Sequence, residues 1–192
     1  MLNILLINDN AKNTKIIDSA LKQGDYELSY QLKTSDELLQ QVELKKPDAI
    51  IIAIETPSEN YIKQIKSVNE NSPTPIVMFT DNSGGKNTIE EVVKAGVHAY
   101  IVDGLESDRI LPIIETAIIR FKEYQSLRKE LVETKATLEE RKIIERAKGL
   151  LMEKHNMKEP EAFKTLRKMA MDQNKKMGDV AENIVAMFKF IN

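Results

Sequence analysis

The residues best suited to chemistry in this sequence are cations near its carboxyl end. Arginine and lysine supply positive charge and several N–H donors, which are the groups that hold nucleic-acid phosphates. The candidates are Arg141, Lys148, Arg167, Lys175 and Lys176. Taken alone, such a residue is more often a solvated surface charge, so the elements that carry these five decide whether they form a surface.

Three runs of apolar residues at helical spacing surround these cations. The runs begin at Ile143, Ala162 and Val180 and are separated by short polar breaks. This pattern predicts a compact three-helix bundle. Measured from the centre of the first apolar stripe, at about 100° per residue, Lys148 lies at about 100° and Arg141 at about 120°. Both therefore flank the core on the same side.

The second and third runs place the remaining cations. Arg167 lies at about 100° from Leu166, the centre of the second stripe. Lys175 and Lys176 stand where the third helix begins, and free backbone N–H groups there could also meet phosphate oxygens. The sequence therefore offers a basic side of the bundle as a candidate phosphate-binding surface.

Two aromatic residues and one glycine bear on how bases would be contacted. Phe163 and Phe188 fall on apolar stripes, so we expect them in the core and predict no exposed aromatic series for stacking. Gly149 lowers helix stability. It either lets a nucleic acid or another helix approach closely, or it serves close packing within the bundle.

The first 121 residues have a different organisation. Short apolar runs that read as strands alternate with helical patterns five times. This alternation predicts an α/β fold with a doubly wound, five-stranded parallel sheet of the flavodoxin-like kind. In such folds function gathers at the carboxyl ends of the strands. Those ends carry Asn8, Asp9, Ala53, Thr80 and Asp103, with Glu55 two residues beyond Ala53.

Composition narrows the possible classes of function. The chain has 192 residues, 42% of them hydrophobic and 30% charged, so it can bury a core. It contains no cysteine, which excludes disulfides and thiolate zinc sites, and its two histidines lie far apart, so we expect no metal and no cofactor. The amino terminus reads as a strand instead of a signal peptide, and no apolar run could span a membrane, so we expect a cytoplasmic protein.

The charge is divided unevenly along the chain. The net charge is −2, with −6 on residues 1–124 and +4 on residues 125–192. A mildly basic tail on an acidic front domain fits a nucleic-acid reader with a regulatory partner, although such a charge is common on ordinary helical surfaces.

Residues 140–187 resemble the ANTAR domain, the RNA-binding module of bacterial transcription antiterminators. The motifs that carry the resemblance are R..I..AKG.LM at 141–152, EAF..LR..AM at 161–171 and DVA at 179–181. The family usually has Ser or Thr where Lys158 precedes the second helix, so a side-chain cap is missing there. The resemblance implies binding to paired stem-loops in a nascent leader mRNA, which prevents a terminator from forming.

The first 124 residues resemble a response-regulator receiver. In that family two acids and an aspartate hold Mg²⁺, the aspartate accepts a phosphoryl group, and a hydroxyl and a lysine bind its oxygens. The acid pair aligns with Asn8 and Asp9, the acceptor with Ala53, the hydroxyl with Thr80, and the lysine with Asp103. Because the acceptor is lost and the lysine is replaced by an acid, we predict a degenerate receiver without phosphorylation chemistry.

The sequence at 55–65 and 96–121 further resembles the receiver half of the NasT family of nitrate-assimilation antiterminators. That resemblance implies restraint by a sensor protein of the NasS kind, in agreement with control by protein contact. We predict a receiver-like domain at 1–121, a helical linker or coiled coil at 122–139, and an ANTAR RNA-binding domain at 140–192.

A long helix with an apolar seam is predicted to join the domains. Steps of three and four residues connect the seam positions, which are Tyr124, Leu127, Leu131, Thr134 and Leu138. The pattern favours a homodimeric coiled coil, at least when RNA is bound. The alternative is an amphipathic helix that packs within its own chain.

We therefore expect a non-enzymatic RNA-binding antiterminator. Two other classes remain open: a signalling adaptor that dimerises through its helical tail, and a phosphorylation-dependent response regulator, which Ala53 disfavours. The inducer, the operon and the RNA sequence are not encoded in these patterns.

Overall fold

The structure is a computed structural model that describes residues 1–34, 36–82 and 84–189, without the side chains of residues 86 and 189. The chain divides into two compact units, Met1–Gln125 and Ser126–Asn192. Within the described ranges, no helix is both long enough and apolar enough to cross a membrane.

The first unit is a parallel sheet with helices on both faces. The strands are β1 (Leu2–Asn8), β2 (Tyr26–Leu32), β3 (Ala49–Ile54), β4 (Ile76–Thr80) and β5 (Ala99–Val102). The helices between them are α1 (Ala11–Leu21), α2 (Leu38–Lys45), α3 (Glu59–Asn71) and α4 (Lys86–Ala95). All pairings are parallel and the strand order is β2-β1-β3-β4-β5. The predicted doubly wound fold is confirmed.

Side chains of alternate residues in the strands build two separate cores. In β1, Ile4 and Leu6 pack against α1 and the long helix that follows β5, whereas Leu5 and Ile7 pack against α2, α3 and α4. Because both faces are covered, β1, β3 and β4 are almost continuously apolar, as expected for a buried parallel sheet. Because both faces are buried, the polar residues of these strands lie at their ends, on the carboxyl edge of the sheet.

The second unit contains three helical segments around one core. Helix α5 (Ser107–His155) begins in the first unit and contributes its last turns, and α6 (Glu159–Asp172) and α7 (Met177–Lys189) follow. The core consists of Ala147, Leu151, Ala162, Leu166, Ala170, Val180, Ala181 and Ile184. Both polar breaks contain an asparagine in the left-handed region, with φ of 53° at Asn156 and 51° at Asn174. Asparagine tolerates this conformation, so each helix can end there.

One local expectation needs correction. Phe163 is not a core residue: it stays 41% exposed, because it lies at the edge of the apolar stripe of α6. The Lys158 side chain makes no cap at the start of α6, but the Glu161 carboxylate accepts a hydrogen bond from the Lys158 N–H at 3.1 Å. Phe188 packs partly buried against the bundle core, as expected.

His98 joins the sheet to α5 in its neutral form. Its Nδ1 accepts the N–H of Ile76 at 3.2 Å, and its ring meets the Phe121 ring edge-on with centroids 5.1 Å apart. Burial lowers the pKa of His98 below its ordinary value of 6.5. Protonation would charge a desolvated ring and remove the acceptor for Ile76.

We therefore predict that stability falls on acidification through this histidine. Because the pKa is lowered in the folded state, the contribution is fully present above about pH 6.5 and is lost as pH falls towards the folded value. Melting temperatures measured between about pH 8 and 5.5 should decline less in His98→Gln than in wild type. The exposed His155 provides the control, and an equal flattening in His155→Gln would contradict this assignment.

Candidate nucleic-acid interface and strand-end site

Asn8 is a structural residue of the turn that follows β1. Its side chain is buried, and its Oδ1 accepts the Asn10 N–H at 2.9 Å. Its Nδ2 donates to Thr14 Oγ1 at 2.9 Å and to the Asn10 carbonyl oxygen. Asn10 in turn caps α1 by accepting the Lys12 N–H. A carboxylate in place of Asn8 would lose both donated bonds.

Asp9 is held by the loop after β2. One of its carboxylate oxygens accepts the Thr34 N–H at 3.2 Å, and the other accepts the Thr34 hydroxyl. Asp9 therefore anchors the loop after β2. Glu55 is exposed at the end of β3 and shares with Asp9 the lining of one cavity.

Three residues align with the phosphoryl acceptor, the hydroxyl and the lysine of receivers. They lie together, but they lack the groups that phosphorylation requires. Ala53, Thr80 and Asp103 line one small hollow, where Ala53 offers only a methyl group. The Thr80 hydroxyl donates to Tyr100 Oη at 3.2 Å. Asp103 is exposed, with φ of 49°, and its N–H donates to the Thr80 carbonyl. No lysine lines the hollow among the described residues, so nothing there balances the charge of a phosphoryl group.

Lys148 differs from the other predicted RNA contacts. Its side chain is only 9% exposed, and its Nζ lies 2.8 Å from Glu145 Oε1 and 2.8 Å from Glu159 Oε1. Hydrogen bonds to Glu145 and Glu159 raise the pKa of Lys148, and the same contact lowers the pKa of Glu159. This ammonium group links α5 to the first residue of α6 and is not presented to solvent as a free cation.

The other four cations are exposed, and in the part of the chain that the structure describes none of them forms an ion pair. They are Arg141, Arg167, Lys175 and Lys176. Glu140 lies against Gly178, where an added Cβ would come within 2.9 Å of the Glu140 Oε1. This contact brings the start of α7, with the two lysines just before it, against the turn of α5 that carries Arg141. It also places a carboxylate at the amino end of α7, where a phosphate had been a possibility.

Helix α6 carries an exposed stripe that the apolar pattern of the sequence did not predict. Phe163, Arg167 and Met171 follow one another at intervals of four residues, with Phe163 41% and Met171 72% exposed. Residues four apart on a helix are neighbours on its surface. The signal in the sequence was the EAF..LR..AM motif itself, in which the aromatic and the arginine share this spacing.

Gly149 makes no close packing contact with the described residues of the second unit. A Cβ built on it would meet nothing within 4 Å, and the residue is exposed on α5 next to Lys148. Close packing within the bundle therefore does not require glycine here. The remaining interpretation is close approach of a binding partner.

The predicted seam on α5 is uncovered in the single chain. The exposed fractions are 56% for Tyr124, 65% for Leu127, 54% for Leu131 and 51% for Leu138. Packing within the same chain therefore does not bury these side chains. The seam stays a prediction of where a second copy would pack.

Together the sheet order and the strand-end positions define a response-regulator receiver, here followed by a helical bundle. Residues 4–115 match the response regulator receiver domain family, and residues 133–185 match the ANTAR domain family. The chain is 34% identical over 182 residues to the transcriptional regulatory protein PdtaR of Mycobacterium tuberculosis, covering 95% of this chain and 88% of that protein. The chain belongs to the response regulators that combine a receiver with an ANTAR domain.

Two further similarities cover parts of the chain. The nitrate regulatory protein of Klebsiella oxytoca is 39% identical over 79 residues, which is 41% of this chain and 19% of that protein. Among solved structures, a CheY-like receiver domain from Methanospirillum hungatei superposes with a TM-score of 0.56 at 16% identity. It covers 65% of this chain and 98% of that structure, and it supports the receiver fold alone.

The paired state of Lys148 predicts a stability effect. Lys148→Met should lower the melting temperature of the bundle, because two carboxylates lose their shared partner. Glu159→Gln should lower it less, and the double variant should fall short of the sum of the single effects. Circular dichroism melts of the three variants measure the coupling. Strict additivity would mean that the Lys148–Glu159 contact contributes nothing.

Proposed function

We propose that this protein is a non-enzymatic RNA-binding regulator of transcription antitermination, which binds paired stem-loops in a nascent leader mRNA. The observation that carries the proposal is a set of exposed cations, without ion pairs among the described residues, on a bundle that matches the ANTAR family. RNA phosphates need such cations, and single-stranded loop bases are the readable part of a stem-loop.

The RNA face of the bundle consists of Arg141, Arg167, Lys175 and Lys176. Each is exposed and can meet a phosphate without first losing a carboxylate partner. Lys148 would have to leave both Glu145 and Glu159 to do the same. We therefore assign Lys148 to the support of this face, through α6, and not to direct phosphate contact.

Phe163 and Gly149 complete the surface. Phe163 is an exposed aromatic one turn before Arg167, so a loop base could stack on its ring while the guanidinium holds the adjacent phosphate. Gly149 leaves room for the RNA backbone on α5, since no side chain of the bundle occupies the space above it.

The receiver controls the bundle through protein contact. Without an acceptor carboxylate at Ala53 and with Asp103 in the lysine position, phosphorylation is not the switch. A sensor protein of the NasS kind is the partner that the resemblance implies. A role in nitrate assimilation rests on that resemblance, together with the partial similarity to a nitrate regulatory protein.

The active form is a homodimer in which the seam of α5 forms a coiled coil. Two copies would bury the exposed leucines, and two ANTAR bundles would match two hairpins. A dimerising adaptor without RNA affinity is the competing function, since the same exposed seam would serve it.

The first prediction of this proposal concerns affinity for RNA. In a gel-shift titration with a double-hairpin leader RNA at fixed salt, Arg167→Glu should bind about tenfold more weakly than wild type, because a phosphate contact becomes a repulsion. The salt dependence should also become shallower, by about one contact. Lys66→Glu makes the same change of charge in the receiver unit and should leave affinity almost unchanged.

Gly149→Ala is a second variant for the same titration. It should stabilise α5 by about 1 kcal/mol, because alanine is the better helix former, yet weaken RNA binding by filling the approach site. Lost affinity in a stabilised protein cannot be ascribed to unfolding. No RNA binding by well-folded wild type would favour the adaptor instead.

The second prediction concerns the dimer. Leu131→Lys places a charge in the middle of the seam and should convert the RNA-bound dimer to a monomer, measured by light scattering on the complex. Val132→Lys is the matched control, because Val132 is 61% exposed but lies next to the seam and not on it. A dimer that survives Leu131→Lys would disprove the proposed seam.

A further inference from the structure

The apolar seam of α5 has an acidic side and a basic side. Leu131 and Leu138 occupy equivalent core positions of consecutive heptads, which fixes the residues that border the seam. The acidic flank consists of Glu123 and Glu130, with the uncharged Thr137 at its third position, and the basic flank consists of Arg128, Lys135 and Lys142. Every charge on one side of the seam is therefore negative, and every charge on the other side is positive.

The flank charges are largely unpaired within one chain. All of these residues are exposed. Lys142 pairs with Glu139 on its own helix at 2.7 Å, whereas the remaining charged flank residues form no ion pair among the described residues. Residues five apart on one helix point about 140° away from each other, so Glu123 cannot reach Arg128 of the same chain. The flanks thus keep their charges available for a second helix.

Two helices can pair along the seam in two directions, and the flanks distinguish them. In a parallel coil, an acid of one copy meets the base five residues later in the other copy. Glu123 then faces Arg128, and Glu130 faces Lys135. In an antiparallel coil like flanks face each other, so that Glu130 opposes Glu130 and Lys135 opposes Lys135. Opposite charges attract and like charges repel across a seam, so the flanks favour the parallel direction.

The leucines of the seam fix its register. When the two copies are in register, Leu127, Leu131 and Leu138 each pack against their own counterpart. This contact buries side chains that are 51–65% exposed in the single chain. A shift by one heptad retains only the contact between Leu131 and Leu138 and places Leu127 against Thr134. The in-register coil therefore buries more apolar surface.

We propose that the seam selects a second copy of this chain in a parallel, in-register coiled coil, with Glu123 and Glu130 of each copy paired to Arg128 and Lys135 of the other. The inference rests on the proposed homodimer and adds its direction and the residues that select the partner. The last turns of α5, which form part of the bundle core, continue from the same end of the seam in both copies.

Disulfide cross-linking tests the direction, because the natural chain has no cysteine. Leu127→Cys and Leu138→Cys are each oxidised with copper phenanthroline in air, with and without the double-hairpin leader RNA. In a parallel, in-register coil each cysteine faces its own copy, so both variants should yield a linked dimer on a non-reducing gel. In an antiparallel coil residue 127 faces residue 138, so only a mixture of the two variants should link. Val132→Cys is exposed beside the seam and measures links from random collision.

The outcomes separate this inference from the function on which it rests. Links in both single variants, well above the level of Val132→Cys, support the parallel coil. Links in the mixture alone would overturn the direction and leave the homodimer standing. No link above the control in any sample would overturn the coil itself. The gel shift measures RNA binding by wild type separately, so a failed coil is distinguishable from a failed RNA-binding function.

Charge reversal tests the flanks. In the Leu138→Cys background, Glu123→Lys with Glu130→Lys should slow cross-linking by about tenfold, because attractions across the seam become repulsions. The rate is measured at a protein concentration where most chains are monomeric, so that it follows the dimer population. Adding Arg128→Glu and Lys135→Glu should restore the rate, since the flanks have then exchanged signs and opposite charges face each other again.

A matched control separates flank pairing from net charge. Glu133→Lys with Glu139→Lys makes the same change of charge on exposed positions of α5 outside both flanks, and it should slow cross-linking far less. Circular dichroism checks that every variant keeps its helix content. An equal loss in this control, or no recovery in the variant with all four reversals, would overturn the role of the flanks.

Discussion

One ammonium group links two helices of the ANTAR bundle. Lys148 meets Glu145 on its own helix and Glu159 at the start of α6, at equal distances of 2.8 Å. The apolar core fixes how far apart the helices lie, but such a core is non-directional. The contact ties the turn of α5 that carries Lys148 to the first residue of α6. Phe163 and Arg167 follow about one and two turns further along α6.

The receiver unit shows the opposite situation, since no lysine or arginine is among the described residues that line the hollows at its carboxyl edge. The fold is retained in full: strand order, coverage of both faces and polar strand ends all follow the family pattern. The side chains at this edge do not supply the chemistry of phosphoryl transfer. Asn8 is part of a turn, Ala53 offers only a methyl group and Asp103 adds to the negative charge.

Periodicity was sufficient to predict most of the architecture. Unbroken apolar runs identified the buried strands, and the spacing of apolar residues located the bundle helices. Periodicity was insufficient to predict the exposure of side chains at the margin of an apolar stripe. Phe163 lies about 60° from the centre of its stripe, and only the packing of the neighbouring helices leaves it exposed. Lys148 appeared as a flanking cation because its partner, Glu159, is eleven residues away and beyond any helical wheel.

The hydrogen bonds of Asn8 limit how this receiver could be altered. Phosphorylation would require an acceptor in place of Ala53, a lysine in place of Asp103 and a second acid in place of Asn8. The last change is opposed by the turn itself, because the Asn8 amide donates to Thr14 and to the Asn10 carbonyl, and a carboxylate cannot donate. Each single reversal would therefore bring no activity, and one of them would weaken the fold. Phosphoryl chemistry therefore cannot be installed in this receiver one substitution at a time, because the three changes are useful only together and one of them acts against the turn after β1.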